Sequence, residues 1–315
     1  MVDRVIDDKA GSRASSGISV VIPVYNRPQV VVRALQSVLA QTLPVDEIIV
    51  VEDGSPNPVD PDALRALDPR IRVLVHEVNQ GGGGARNTGL RAAQAKWVAF
   101  LDSDDEWLPE KLQRQMAILN REPESIACFT GNVDVDAAGA LGRVFLPPAR
   151  ISLLDLQRIN VLNTTSSAIV RRDALNEVGG FDPTLPACQD WDLWMRLRAV
   201  GPFSVLREPL VRFFQSGTDR ITKNSRAVME AHRVMFDRIR GRIGDSAVLR
   251  RVTPFHDLRI AQIYFWHDGR TAAALRLAVL CFLRSGSREA LALTAVILKV
   301  MLRSMLVRSP AASTN

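Results

Sequence analysis

Cysteine is scarce in this chain of 315 residues: only Cys128, Cys188 and Cys281 occur, far apart. That spacing excludes a disulfide scaffold and any CxxC zinc module. Free thiols fit a reducing compartment, so a cytoplasmic setting is expected. Long apolar runs are also missing. The longest late stretch, Ala290 to Leu298, is broken by Lys299, too short for a spanning helix. Met1 to Gly17 is polar with mixed charge, so no export signal is expected and this segment reads as a flexible N-terminus. The GxxxxGK[ST] loop is absent, and GxGxxG fails at Arg86 or Asn87, which removes most support for a P-loop or dehydrogenase reading. His76, His232, His256 and His267 show no metal-ligand spacing, and neither GxSxG nor a Cys-His nucleophile context occurs.

What is present is apolar enough to fold. Hydrophobic residues make up 47% of the chain, which excludes a disordered class. The net charge of +6 is unevenly placed. Residues 1–219 hold 23 basic and 28 acidic side chains, a net of −5, whereas residues 220–315 hold 17 and 6, a net of +11. The basic character therefore belongs to the last third.

The first 105 residues alternate strand and helix signals. Ile18 to Val24 is a β-branched run expected to be buried on both faces. Val30 to Gln41 carries apolar residues at helical spacing behind Pro28. Strands are expected at Glu47–Val51, Ile71–Val75 and Trp97–Leu101, and a glycine run, Gly81 to Gly84, leads into a helix ending near Ala95. Such alternation predicts right-handed βαβ units and a largely parallel sheet. A helix over 109–121, a hairpin over 125–147, a strand within 165–171 and a helix over Gln189–Val200 follow. Helices are expected over 224–240, 246–267, 271–284 and 287–306.

In open α/β sheets, ligands bind beyond the carboxyl ends of the strands. Three such ends carry polar groups here: Pro23-Val-Tyr25-Asn26, Glu52-Asp53-Gly54-Ser55, and Asp102-Ser-Asp104-Asp105. Packed carboxylates repel, and a hard divalent cation resolves that; oxygen ligands suit Mg²⁺ or Mn²⁺. An Asp-rich turn before a helix is the structural alternative. Asp53 suits a base or ribose contact or simply a turn before Gly54. Tyr25 suits stacking on a base or packing. Arg86 and Asn87 follow the glycine run at the start of a helix, where an anion is favoured. Trp107, Trp191 and Trp194 read as packing residues.

Taken together, these stretches resemble the family 2 glycosyltransferases of the GT-A fold. The matching segments are ISVVIPVYNR (18–27), DEIIVVEDGS (46–55), NQGGGGARNTGL (79–90), WVAFLDSDDEWLPEKL (97–112), VGGFDPTL (178–185) and QDWDLWMRL (189–197), in the family's order. The resemblance implies an α/β GT-A fold: a Rossmann-like, mostly parallel central sheet flanked by helices, with a catalytic domain over 18–220 and a C-terminal helical extension over 221–315. It implies an inverting transfer of sugar from a nucleotide-sugar donor, UDP-linked, to an acceptor hydroxyl, as in bacterial cell-surface polysaccharide or glycolipid synthesis. It assigns Tyr25 and Asp53 to the uracil, with Pro23 and Asn26 shaping the same loop, and sets Arg86 and Asn87 beside the nucleotide. Asp102, Asp104 and Asp105 become the DxD region, with Asp104 and Asp105 at the Mg²⁺ or Mn²⁺ ion. Asp190 becomes the catalytic base, with Asp182 and Asp192 as the other candidates. The chain departs from the family pattern at Glu52, at Gln189 and near Gln215, where relatives favour Asp, Glu and His. Residues 217–222 suggest a lid acting through Arg220.

Two other functions compete. A sugar nucleotidyltransferase would carry a glycine-rich basic loop after strand one, where PVYNRPQ stands. A nucleic-acid binder needs a basic face interleaved with aromatics, which the −5 part does not offer. A non-catalytic nucleotide-sugar-binding relative is a further alternative. The tail, Thr271 to Arg308, sets arginines among aliphatic clusters, which suits an anionic membrane surface or packing on the rest of the chain or a second subunit.

Overall fold

The computed structural model describes residues 16–214, 225–244, 246–266 and 268–308. The flexible segment expected at the N-terminus lies almost wholly outside these residues. So do the lid at 217–222, Arg220 and Gln215.

The alternation read from the sequence is present: β1 (Ile18–Val24), α1 (Val30–Leu39), β2 (Glu47–Asp53), α2 (Pro61–Arg65), β3 (Ile71–His76), α3 (Gly81–Ala92) and β4 (Trp97–Phe100). These four strands pair in parallel in the order β3-β2-β1-β4. A short β5 (Glu106–Trp107) and α4 (Lys111–Arg121) follow. The expected hairpin is β6 (Ala127–Val135) with β7 (Leu141–Phe145), turning through Asp136. Next come α5 (Leu153–Arg158), a 3₁₀ turn (Thr165–Ser167), β8 (Ala168–Arg171), α6 (Arg172–Glu177), α7 (Gln189–Val200) and β9 (Phe203–Phe214). β8 runs antiparallel between β4 and β6, and β9 returns parallel to β6 with β5 at its edge. Parallel pairing thus dominates the N-terminal half, and β8 reverses direction to join the second block.

Both faces of β1 are buried because its residues feed two cores. Val20 and Ile22 pack with Leu35 of α1 and Leu112 of α4. Val21 points to the opposite core, which holds Phe100, Phe129, Phe181 and Trp194. Helices on both faces are what a parallel sheet requires. Gly89 lets α3 lie against β1: a Cβ there would sit 2.3 Å from Val21 Cγ1. The glycine run forms the first turn of α3 rather than a loop before it.

The last third is helical, as expected: α8 (Ser225–Arg242), α9 (Ser246–Trp266), α10 (Thr271–Ser285) and α11 (Arg288–Arg308). Met235 and Ile239 of α8 and Val252 of α9 belong to the same core as Trp194. A separate apolar cluster, with Leu258, Ala278 and Ile297, joins α9, α10 and α11. No helix among the described residues is long and apolar enough to cross a membrane.

One buried charge stands out. Lys111 is fully buried, with Nζ donating to Gln115 Oε1 at 2.8 Å and lying 4.1 Å from the Trp107 ring centre. Burial lowers its pKa to about 7. Between about pH 7 and the ordinary lysine pKa near 10.4, the unfolded chain holds a proton that the folded chain has released. Stability therefore rises with pH across that window. Lys111→Met should abolish this rise in urea titrations at graded pH; an unchanged slope would contradict it. Gly89→Ala should cost about 1–3 kcal/mol by the same method, despite its better helix propensity, because the added methyl overpacks. A gain in stability would show that α3 has room to move.

Candidate active site

The carboxyl ends of β1, β2 and β4 and the first turns of α3 and α7 meet at one edge of the sheet. Tyr25 stands exposed just beyond β1. Asn26 follows with φ of 52°, and its N–H donates to Ser55 Oγ at 2.7 Å. The Ser55 hydroxyl in turn donates to Glu52. Glu52 also accepts from the N–H groups of Ser55 (3.1 Å) and Val59 (2.9 Å). Its extra methylene lets it fold the 54–59 turn, so this departure from aspartate has a structural use. Pro23, half-buried near the end of β1, sets the base of the same loop.

Asp53 is buried at the end of β2, in register with His76 on β3. Its Oδ1 accepts from Gln80 N–H at 2.9 Å and lies 2.7 Å from His76 Nδ1. His76 Nε2 lies 2.9 Å from Thr88 Oγ1, which accepts from Arg91 at 2.7 Å. A carboxylate only accepts, so His76 turns an Nδ1–H toward Asp53. Both contacts fall on Oδ1, leaving Oδ2 free of hydrogen bonds among the described residues.

Arg86, on α3, donates to Asp102 Oδ1 at 2.5 Å. Its Nε–H is buried with no acceptor among the described residues. Asn87 turns the other way. Its amide donates to Phe181 C=O at 2.7 Å and accepts from Phe181 N–H at 2.8 Å. That two-way clamp holds the loop after α6, where Gly180 has φ of +69° and no room for a side chain against Asn87.

The acidic cluster divides. Asp102 faces Arg86, and its N–H is held by Ser166 Oγ at 3.0 Å. Asp104 pairs with Arg27 at 2.9 Å, and its carbonyl accepts from Arg33 at 2.8 Å. Asp105 is fully buried, accepting from Ser166 Oγ at 2.6 Å and Phe214 N–H at 3.3 Å. It ties the end of β4 to the 3₁₀ turn and β9, while Asp102 and Asp104 face the site.

Asp190 lies in the first turn of α7. The preceding Cys188 is left-handed (φ 58°), as are Asn26 and Asn163. Backbone outliers of this kind cluster at functional sites. Gln189 packs against the glycine turn of α3: a Cβ on Gly83 would lie 3.1 Å from its amide. This contact brings Asp190 within electrostatic range of Arg86 and Asp102. Asn160 donates to Asp190 Oδ2 at 2.9 Å. Burial raises the Asp190 pKa above the ordinary carboxylate value, against the lowering effects of the Trp191 N–H, Arg86 and Asn160. The other two candidates are committed elsewhere. Asp192 is buried between Arg196 (2.7 Å) and Arg238 (3.2 Å), and Asp182 binds Thr184 and Arg238. Trp107, Trp191 and Trp194 are all buried packing residues.

Reasoning from sequence missed His76, Arg27, Asn160 and Ser166. Arg27 stands inside the quoted YNR segment and His76 closes strand three, so position signalled both. Asn160 and Ser166 come from loops with no motif.

The sequence profile of "Glycosyl transferase family 2" matches residues 19–179. The chain is 31% identical over 195 residues to an uncharacterized glycosyltransferase of Rickettsia felis, covering 59% of this chain and 32% of that protein. It is 33% identical over 135 residues to the Escherichia coli UDP-Glc:alpha-D-GlcNAc-diphosphoundecaprenol beta-1,3-glucosyltransferase WfgD, covering 43% of this chain and 53% of that one. The chain thus spans about a third of the first curated relatives it matches. Among solved structures, S. aureus TarS 1-349 in complex with UDP-GlcNAc superposes with a TM-score of 0.61 at 18% identity, covering 89% of this chain and 88% of that one, which shows a shared fold. With its profile match spanning half its length and its sheet and helices in the same arrangement, the chain belongs to glycosyl transferase family 2.

Proposed function

We propose that the chain transfers a sugar, with inversion, from a UDP-linked donor to an acceptor hydroxyl. The observation that carries this reading is the half-buried Asp190, its pKa raised, within electrostatic range of the Arg86–Asp102 pair. Asp190 takes the proton of the acceptor hydroxyl. The hydroxyl oxygen attacks the anomeric carbon opposite the nucleotide, and the carbon–oxygen bond to the diphosphate breaks. A carboxylate with a raised pKa is the stronger base for this task, a contribution of about 10²- to 10⁴-fold.

On the donor side, Tyr25 offers a ring to stack on the uracil, and Asp53 Oδ2 an acceptor for its N–H. Pro23 and Asn26 shape that pocket, and Asn87 supports it by fixing the Phe181 loop. The orphaned Nε–H of Arg86 suits a diphosphate oxygen. Arg220 is proposed to close over the same group.

Among the described residues no group of three or more His, Cys, Asp or Glu is arranged to hold an ion. Asp102 and Asp104 nevertheless offer hard oxygens. One or two carboxylates completed by substrate phosphates are the set that Mg²⁺ takes, and Mn²⁺ accepts the same oxygens. These two carboxylates would hold the ion, with Asp105 bracing the Asp102 backbone through Ser166. When bound, the cation would offset charge on the departing diphosphate.

The acceptor is proposed to be lipid-linked, in keeping with the diphosphoundecaprenol substrate in the name of the Escherichia coli relative. Residues 271–308 would then meet the inner face of a membrane.

A screen of nucleotide sugars for turnover or hydrolysis tests the activity. Asp190→Asn should lower kcat by about 10²- to 10⁴-fold while leaving UDP affinity unchanged; retained turnover would remove Asp190 from the mechanism. Asn160→Ala deletes a hydrogen bond that favours the charged carboxylate, so the Asp190 pKa should rise further. The acidic limb of the kcat/KM profile should then move to higher pH. An unmoved limb would mean that another group titrates there.

A further inference from the structure

Away from the site just described, α5, α9, α10 and the start of α11 enclose an open cavity of about 630 Å³. Five arginines line it: Arg158, Arg250, Arg251, Arg284 and Arg288. Three carboxylates answer them: Glu289 on the wall, Asp257, paired with Arg284 at 3.0 Å, and Asp155, within electrostatic range of Arg158. The other four arginines have no ion-pair partner among the described residues. Folding alone does not explain five like charges gathered in a concave wall, because their repulsion opposes it.

We propose that this cavity binds a phosphate or diphosphate group. Guanidinium groups match phosphate oxygens in pairs and are lightly hydrated, which makes arginine the preferred residue for this task. Part of the wall is held in place: Arg158 Nε donates to Arg251 C=O at 3.3 Å and its guanidinium lies 5.2 Å from the Phe255 ring centre. Phe255 on the wall is 38% exposed, and the helices that carry Arg284 and Arg288 also bear the exposed Leu283 (72%) and Leu291 (49%). Leu298 and Leu302 continue the Leu291 stripe along α11, also exposed. A charged hollow whose helices also expose apolar side chains suits a phosphate that carries a hydrocarbon chain.

α5 also links the cavity wall to the surroundings of the proposed base. The opposite side of α5 accepts from Trp191 Nε1 through Leu156 C=O at 2.5 Å and lies 2.8 Å from His256 Nε2 through Gln157 C=O. Asn160, which holds Asp190, follows two residues after Arg158. The cavity itself stands on its own residues, independent of the donor reading.

The test uses the full chain with UDP present, so that the donor site is not the one read. Inorganic pyrophosphate is titrated calorimetrically, and flotation is measured with phosphatidylcholine vesicles with and without phosphatidylglycerol. Arg251→Gln/Arg288→Gln is compared with Arg121→Gln/Arg143→Gln, which removes the same charge from distant surface. The cavity variant should lose roughly tenfold or more in affinity, the scale of two charge-assisted hydrogen bonds, while the distant variant keeps wild-type binding. Pyrophosphate that competes with phosphatidylglycerol vesicles identifies a lipid headgroup as the source. Pyrophosphate binding without vesicle binding identifies a soluble phosphate. Absence of both, or equal losses in the two variants, would overturn the proposal. UDP affinity measured on the same proteins should not differ; if UDP fails to bind wild type, the donor reading falls and the cavity result remains.

Discussion

The packing of the first turn of α7 on the glycine turn of α3 is the constraint on which the site depends. Gly82 and Gly83 carry no side chains, so the Gln189 amide can lie against their backbone. A Cβ on Gly83 would crowd that amide at 3.1 Å, and one on Gly82 would meet Arg86 Nη1 at 2.9 Å. The approach delivers Asp190 to the neighbourhood of Arg86, and Arg86 in turn holds Asp102 at the end of β4. Two helices and a strand are thereby fixed on one another through three side chains. Cys188 accepts a left-handed backbone to make the turn into α7 possible, a local cost of order 1–3 kcal/mol that the surrounding packing must offset.

The C-terminal charge takes on a different meaning once the helices are in place. Part of it is spent inside the molecule. Arg238 of α8 bridges Asp182 and Asp192 on the helix that bears Asp190 and on the loop before it. The helical tail therefore buttresses the site rather than hanging from it, and its first two helices complete the core over Trp194. Four more of its arginines, Arg250, Arg251, Arg284 and Arg288, line one cavity, where a ligand of opposite sign has a place.

Much of this was legible in the sequence because it is encoded locally. Strand and helix periods are properties of short windows, and β1 to β4 end within a residue or two of their expected limits. The four C-terminal helices were likewise visible. The role of a carboxylate was less visible, since it depends on what folds over it. Asp105 looked equivalent to Asp104, yet Ser166, some sixty residues on, buries it. Asn87 sat beside Arg86 in the motif, but one position along a helix is a turn of about 100°, and it faces Phe181. His76 joined Asp53 only through strand register, which a single sequence does not print.

The central claim is that loops from four parts of the chain form a single donor site. Hydrogen–deuterium exchange of the full chain with and without UDP and Mg²⁺ tests it most directly. Protection is expected together at 23–26, 53–55, 80–87 and 102–105, with α10 and α11 unaffected. Protection confined to one of these segments, or found only in the C-terminal helices, would contradict a shared nucleotide site.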